Sequence, residues 1–97
     1  MMELKQILIE TIEKMRMIRE DLLNSNENNS IIILYIDLFS KIAIAAQSLQ
    51  NEKLDLDEFN EKLSQLVSSL ENQDFDLFGD LIEYEVRPLL EYWYSVI

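Results

Sequence analysis

Residues 31–50, IIILYIDLFSKIAIAAQSLQ, decide the fold. The first nine, IIILYIDLF, are rich in β-branched and aromatic residues and taken alone suit a buried strand. The continuation, SKIAIAAQSLQ, extends the apolar character to about twenty residues, which exceeds a normal strand and suits a helix. Helical spacing then gives a main stripe of Leu34, Tyr35, Leu38, Phe39, Ile42, Ala45 and Leu49, with Ile33 and Ile44 off it. A helix that is apolar on nearly all sides is either central or at an interface. The stretch from Ile31 to Ala46 is too short to span a bilayer, and Asp37 and Lys41 are spaced to pair across one turn. A core helix is expected, with Ser30 as its N-cap.

Helical periodicity recurs on both sides of this stretch. Leu4, Leu8, Ile12, Met15, Ile18 and Leu22 form one stripe, which ends at the polar run NSNENNS, residues 24–30. After NEKLDLDE, with Asp55 or Asp57 as cap, Leu56, Phe59, Leu63, Leu66, Val67 and Leu70 line one narrow face, as on an outer helix. Asp74 is the expected cap of a last helix, which carries Phe78, Ile82, Val86, Leu89, Trp93 and Val96, with Leu77, Leu81, Pro88 and Tyr92 beside them. Pro88 lacks a backbone N–H and crowds the carbonyl of Tyr84, so a distortion is expected there. Helices near 3–24, 30–50, 56–72 and 75–96 with short joints predict a single all-α domain over residues 1–97, an antiparallel up-down-up-down four-helix bundle.

Composition limits the chemistry. The 97 residues include no cysteine and no histidine, which removes thiol, Ser-His-Asp and most zinc chemistry. A single glycine and a single proline disfavour an all-β fold, and 48% apolar residues suffice for a core. Nineteen acids against 8 bases leave a formal charge of −11, which repels phosphate backbones and anionic membranes. No nucleic-acid or membrane partner is therefore expected. The opening MMELKQ has an acid and lacks an apolar segment behind basic residues, so no secretory signal is expected and the cytoplasm is the expected compartment.

One motif comes close to chemistry. DFDLFGDLIEYE, residues 74–85, approaches the calcium loop D-x-[DN]-x-[DN]-G-x5-E, with Asp74, Asp76, Gly79 and Glu85 in register. The fifth position, which needs an oxygen ligand, is Phe78, and Phe78 also falls on the helical stripe. A calcium-binding helix–loop–helix at 74–85 is thus a distant alternative, and no cofactor or metal is expected. Glu85 sits inside the apolar arc of a straight helical wheel. A buried ion pair with Arg19, or with Arg16 or Lys41, is expected to hold it there.

The segment FDLFGDLIEYEVRPLLEYW is similar to the C-terminal helix of small acidic helical proteins found beside bacterial flagellar genes. The matching residues are Asp80, Leu81, Glu83, Tyr84, Glu85, Pro88, Leu89, Leu90, Glu91 and Trp93. The resemblance implies a cytoplasmic accessory protein, comparable to the flagellin export chaperone bundle. From the residues themselves, the expected function is a non-enzymatic protein-binding module, chaperone- or adaptor-like. Its apolar patch would come from helices two and four, with Ile33, Ile44, Leu90, Tyr94 and Ile97 at the interface. The alternative is a structural homodimer that buries the same face against its twin.

Overall fold

A computed structural model describes residues 3–18, 20 and 28–97, the side chains of residues 28–31 excepted. Among these the chain is all-α, a bundle of four helical runs with no strand. The runs are α1 (Leu4–Met15), α2 (Asn28–Leu49), α3 (Leu56–Glu71) and a C-terminal run. The last comprises α4 (Phe75–Leu81), a π-helical turn (Ile82–Val86) and α5 (Arg87–Val96). Residues 31–39 are helical, so the length of the apolar unit outweighed the local β-propensity of IIILYIDLF.

Boundaries shift in two places. α1 stops at Met15 and is followed by a turn at Arg16 and Met17, beyond which Ile18 and Glu20 are helical again; the expected end at residue 24 lies outside the described residues. Ser30 lies within α2 instead of capping it, since α2 is already helical at Asn28. The two aspartate caps are in place. Asp55 Oδ1 accepts the Glu58 N–H at 3.0 Å and Asp74 Oδ1 accepts the Leu77 N–H at 3.0 Å, each satisfying a donor that the helix itself cannot.

α3 ends in a Schellman motif. The Asp74 N–H reaches the Ser69 carbonyl at 2.8 Å and the Gln73 N–H reaches the Leu70 carbonyl at 3.0 Å. This requires a left-handed residue, which here is Gln73 at φ 55° rather than the usual glycine.

The core is organised by an aromatic row across three runs. Tyr35 and Phe39 on α2 lie 6.0 Å apart, Phe39 and Phe59 on α3 6.3 Å, and Phe59 and Trp93 on α5 5.1 Å. Such tilted and edge-on pairs add about 0.5–1.5 kcal/mol each beyond their buried area. The Tyr35 hydroxyl donates to the Lys14 carbonyl at 2.8 Å, adding to the Met17 N–H that the same oxygen accepts, and pins α1 to α2. α1 packs against α2 and α5, whereas α3 packs chiefly against α4 and, more sparsely and to the same extent, against the π turn and α2. α3 buries only Phe59, Leu66 and Ser69, the narrow face of an outer helix.

The distortion expected at Pro88 takes the form of the π turn. The Arg87 N–H bonds the Ile82 carbonyl, five residues back, and Pro88 falls in the first turn of α5, where no N–H is needed. A widened turn moves the Tyr84 carbonyl out of the proline ring's way. It also inserts one residue into the helical count, which rotates everything beyond it by roughly 100° relative to a straight helix. That rotation decides which side chains of the C-terminal run face inward.

Candidate docking face

The rotation corrects two expectations. Leu90, expected at the interface, is fully buried at 0% exposure beside Trp93, because the inserted residue turns it inward. Glu85, expected inside the core, lies within the π turn at the rim with its side chain 48% exposed. Its partner is Lys62 on α3, with Nζ 2.8 Å from Glu85 Oε2. Neither Arg16 nor Lys41 is involved: Arg16 is exposed in its turn and Lys41 pairs with Asp37 at 3.1 Å. Arg19 lies outside the described residues. Lys62 is held above the usual lysine range, first by its hydrogen bond to Glu85 and then by the negative charge of Glu85, Glu58 and Glu61, with desolvation opposing.

The near-calcium segment is helix from Phe75 onward, and Phe78, 1% exposed, is part of the core. Asp74 spends its carboxylate on the α4 cap. The twelve-residue loop such a site requires is therefore absent, and among the described residues no three acid, histidine or cysteine side chains gather as a metal site.

What remains is an apolar face on α2. Residues Ile32–Leu49 have a mean hydropathy of 1.6, yet only 28% of the stretch is buried. It is the one helix among the described residues long and apolar enough to cross a membrane, judged by length and composition alone. The expectation of a core helix thus holds for one side only. Ile32, Tyr35, Leu38, Phe39, Ile42 and Ala46 face inward, while Leu34 and Leu49, placed on the inner stripe by spacing, are exposed. Among the described residues Ile33 and Ile44 are the most exposed aliphatic side chains, at 66% and 67%. They stand eleven residues apart on the outer surface with the Asp37–Lys41 pair between them.

A groove flanks α2 on each side. Towards α1 a shallow opening of about 990 Å³ is lined by Leu4, Ile7, Ile44, Ala45, Leu49 and Ile97, with Lys5 and Lys41 at its edge. Ile97 is half-buried there, so it lines the groove rather than standing free. Towards α3 a smaller one of about 100 Å³ lies among Ile36, Phe39, Leu63, Val67, Leu70 and Phe78. Tyr94 is half-buried, and its ring is occupied by the Lys5 ammonium 5.1 Å from the centroid. The C-terminal run does expose apolar residues, but they are Leu77, Tyr84 and Tyr92, on a side that the straight wheel did not single out as an interface. The patch is therefore centred on α2, with α1 and α3 as its shoulders. Off-stripe position identified Ile33 and Ile44 in the sequence, whereas the grooves depend on how neighbouring helices splay and left no trace in it.

No curated protein and no solved structure matches the chain. A family model does match, over residues 1–96, and the chain belongs to that family, DUF8042, a domain of unknown function.

Proposed function

We propose that the chain is a non-enzymatic protein-binding module, adaptor- or chaperone-like, which docks its partner on the exposed face of α2. The observation that carries this reading is the mismatch between a mean hydropathy of 1.6 over Ile32–Leu49 and the 28% of that stretch which is buried. Ile33, Leu34, Ile36, Ile44 and Leu49 are all exposed, and apolar surface of this kind is costly in water and is characteristic of contact surfaces. Ile33 and Ile44 are the expected anchors, with Ile97 and the two grooves as their surround. A non-enzymatic role is supported by the lack of histidine and cysteine, which removes the commonest acid–base and nucleophilic groups. A cytoplasmic setting, and the flagellar association suggested by the C-terminal segment, belong to the same proposal. Self-association is the alternative use of the same face.

The test is Ile44→Glu in the full chain. Helicity, and the thermal midpoint of the dilute chain, should stay at wild-type values, while binding of an apolar dye and any concentration-dependent association should fall together. If neither changes, α2 is not the docking face.

A further inference from the structure

We infer that the occupant of the α2 face is a second copy of this chain, seated antiparallel so that Asp37 of each copy meets the partner's Lys41. The inference rests on the docking-face reading above and names its partner. Electrostatics and spacing both support it.

Electrostatics separates this face from the rest of the surface. The chain carries −11 overall, but the whole of α2 contains one acid and one base, Asp37 and Lys41, and is neutral. A basic partner would be drawn to the acidic faces, and an acidic one repelled by them. A neutral apolar strip is where two copies of an acidic chain can approach without setting like charges against each other.

The strip is also self-complementary. A two-fold axis near residues 38 and 39 pairs Ile33 with the partner's Ile44 and, at almost the same register, Asp37 with the partner's Lys41. At about 100° per residue, Asp37 and Lys41 occupy the same flank of α2, and an antiparallel two-fold brings like flanks together. Both side chains are more than half exposed, so they are available to exchange their contact within the helix for one across the interface. Ser40, exposed near the axis, is small enough to let the helices close. Apolar anchors outside and opposite charges at the centre make the strip self-complementary, which an isologous contact requires.

The experiment is sedimentation of the full chain over a wide concentration range, with circular dichroism to check folding. Wild type should dimerise. Asp37→Lys alone and Lys41→Asp alone should each weaken association by about ten-fold or more, since each sets like charges opposite one another twice. Mixing the two variants should restore a one-to-one heterodimer, because each chain then supplies what the other lacks. A role for the pair within one helix could not be rescued by mixing. Wild type that stays monomeric overturns the inference. If such a monomer still binds apolar dye in a way Ile44→Glu abolishes, the docking face survives with another protein as occupant; flotation with phosphatidylcholine vesicles would instead assign it to lipid. A dimer indifferent to Ile44→Glu and to both charge variants overturns the inference and the docking reading together.

Discussion

α2 and the C-terminal run are both rich in apolar residues, and they use them differently. α2 is an uninterrupted α-helix that carries more apolar side chains than its neighbours can cover, and the surplus stays outside. The C-terminal run interrupts its own helical geometry, and the π turn brings Leu90 fully inside beside Trp93. The contrast shows that apolar content sets how much could be buried, while helical phase sets which residues are. A surplus without a phase change becomes a surface, and a phase change fills a core.

Leu90 gives the largest expected effect. Leu90→Ala should lower the unfolding free energy by about 2–5 kcal/mol in chemical denaturation, the usual cost of a cavity in a packed core. On a straight helix Leu90 would point outward and the same change would cost no more than about 0.5 kcal/mol. Its counterpart on α2 is Ile44→Ser, expected within about 0.5 kcal/mol of wild type when the chain is kept dilute. Equal costs at the two positions would erase the distinction between the runs.

What the sequence discloses follows from the same distinction. Periodic segments announce the helices, and Asp55 and Asp74 announce where two of them begin, because a cap needs only its own side chain and the next turn. The narrow face of α3 is legible because a single stripe has one phase. α2 is harder, since a helix that is apolar all round carries no clear phase; spacing puts Leu34 and Leu49 inside, where they are exposed, while Ala46, off that stripe, is buried. In the C-terminal run the phase is clear up to Ile82 and is lost at a turn whose only marker is Pro88. Glu85 and Leu90 fall at or beyond that turn, and a straight wheel misplaces both, although Val86, Leu89 and Trp93 are buried as their spacing predicts. Of the candidate face, Ile33 and Ile44 were legible as off-stripe residues, but the grooves beside them are products of tertiary packing.

The phase of the C-terminal run is counted from the joint before it, where Gln73 holds a left-handed conformation. A side chain with a Cβ is strained there and glycine is not. Gln73→Gly should therefore stabilise the fold by about 0.5–1 kcal/mol, the relief of strain exceeding the added freedom of the unfolded chain. The measurement is the denaturation midpoint against wild type. A loss of stability would mean that the Gln73 side chain contributes more than its backbone costs, and that the joint is not set by the Schellman bonds alone.

The smallest expected effect belongs to Lys62 and Glu85, an ion pair that joins α3 to the π turn. With Glu85 about half exposed and its charge well hydrated, a double-mutant cycle of Lys62→Met and Glu85→Gln should give a coupling of about 0.2–1 kcal/mol. A coupling of several kcal/mol would return Glu85 to the core and restore the straight wheel. The pH dependence checks the same geometry. Lys62 is raised above the ordinary lysine value of 10.5 by its hydrogen bond to Glu85, so its folded pKa exceeds its unfolded one. The contribution is then fully present below pH 10.5 and is lost as pH rises through the higher folded value. Wild type minus Lys62→Met should accordingly be flat through neutral pH and decline only in strong alkali, while tyrosine titration, common to both chains, cancels in the difference. A decline beginning on the acid side would assign the linkage to a carboxylate instead. The contact holding the π turn against α3 would then depend on the acid's own surroundings rather than on the lysine it touches.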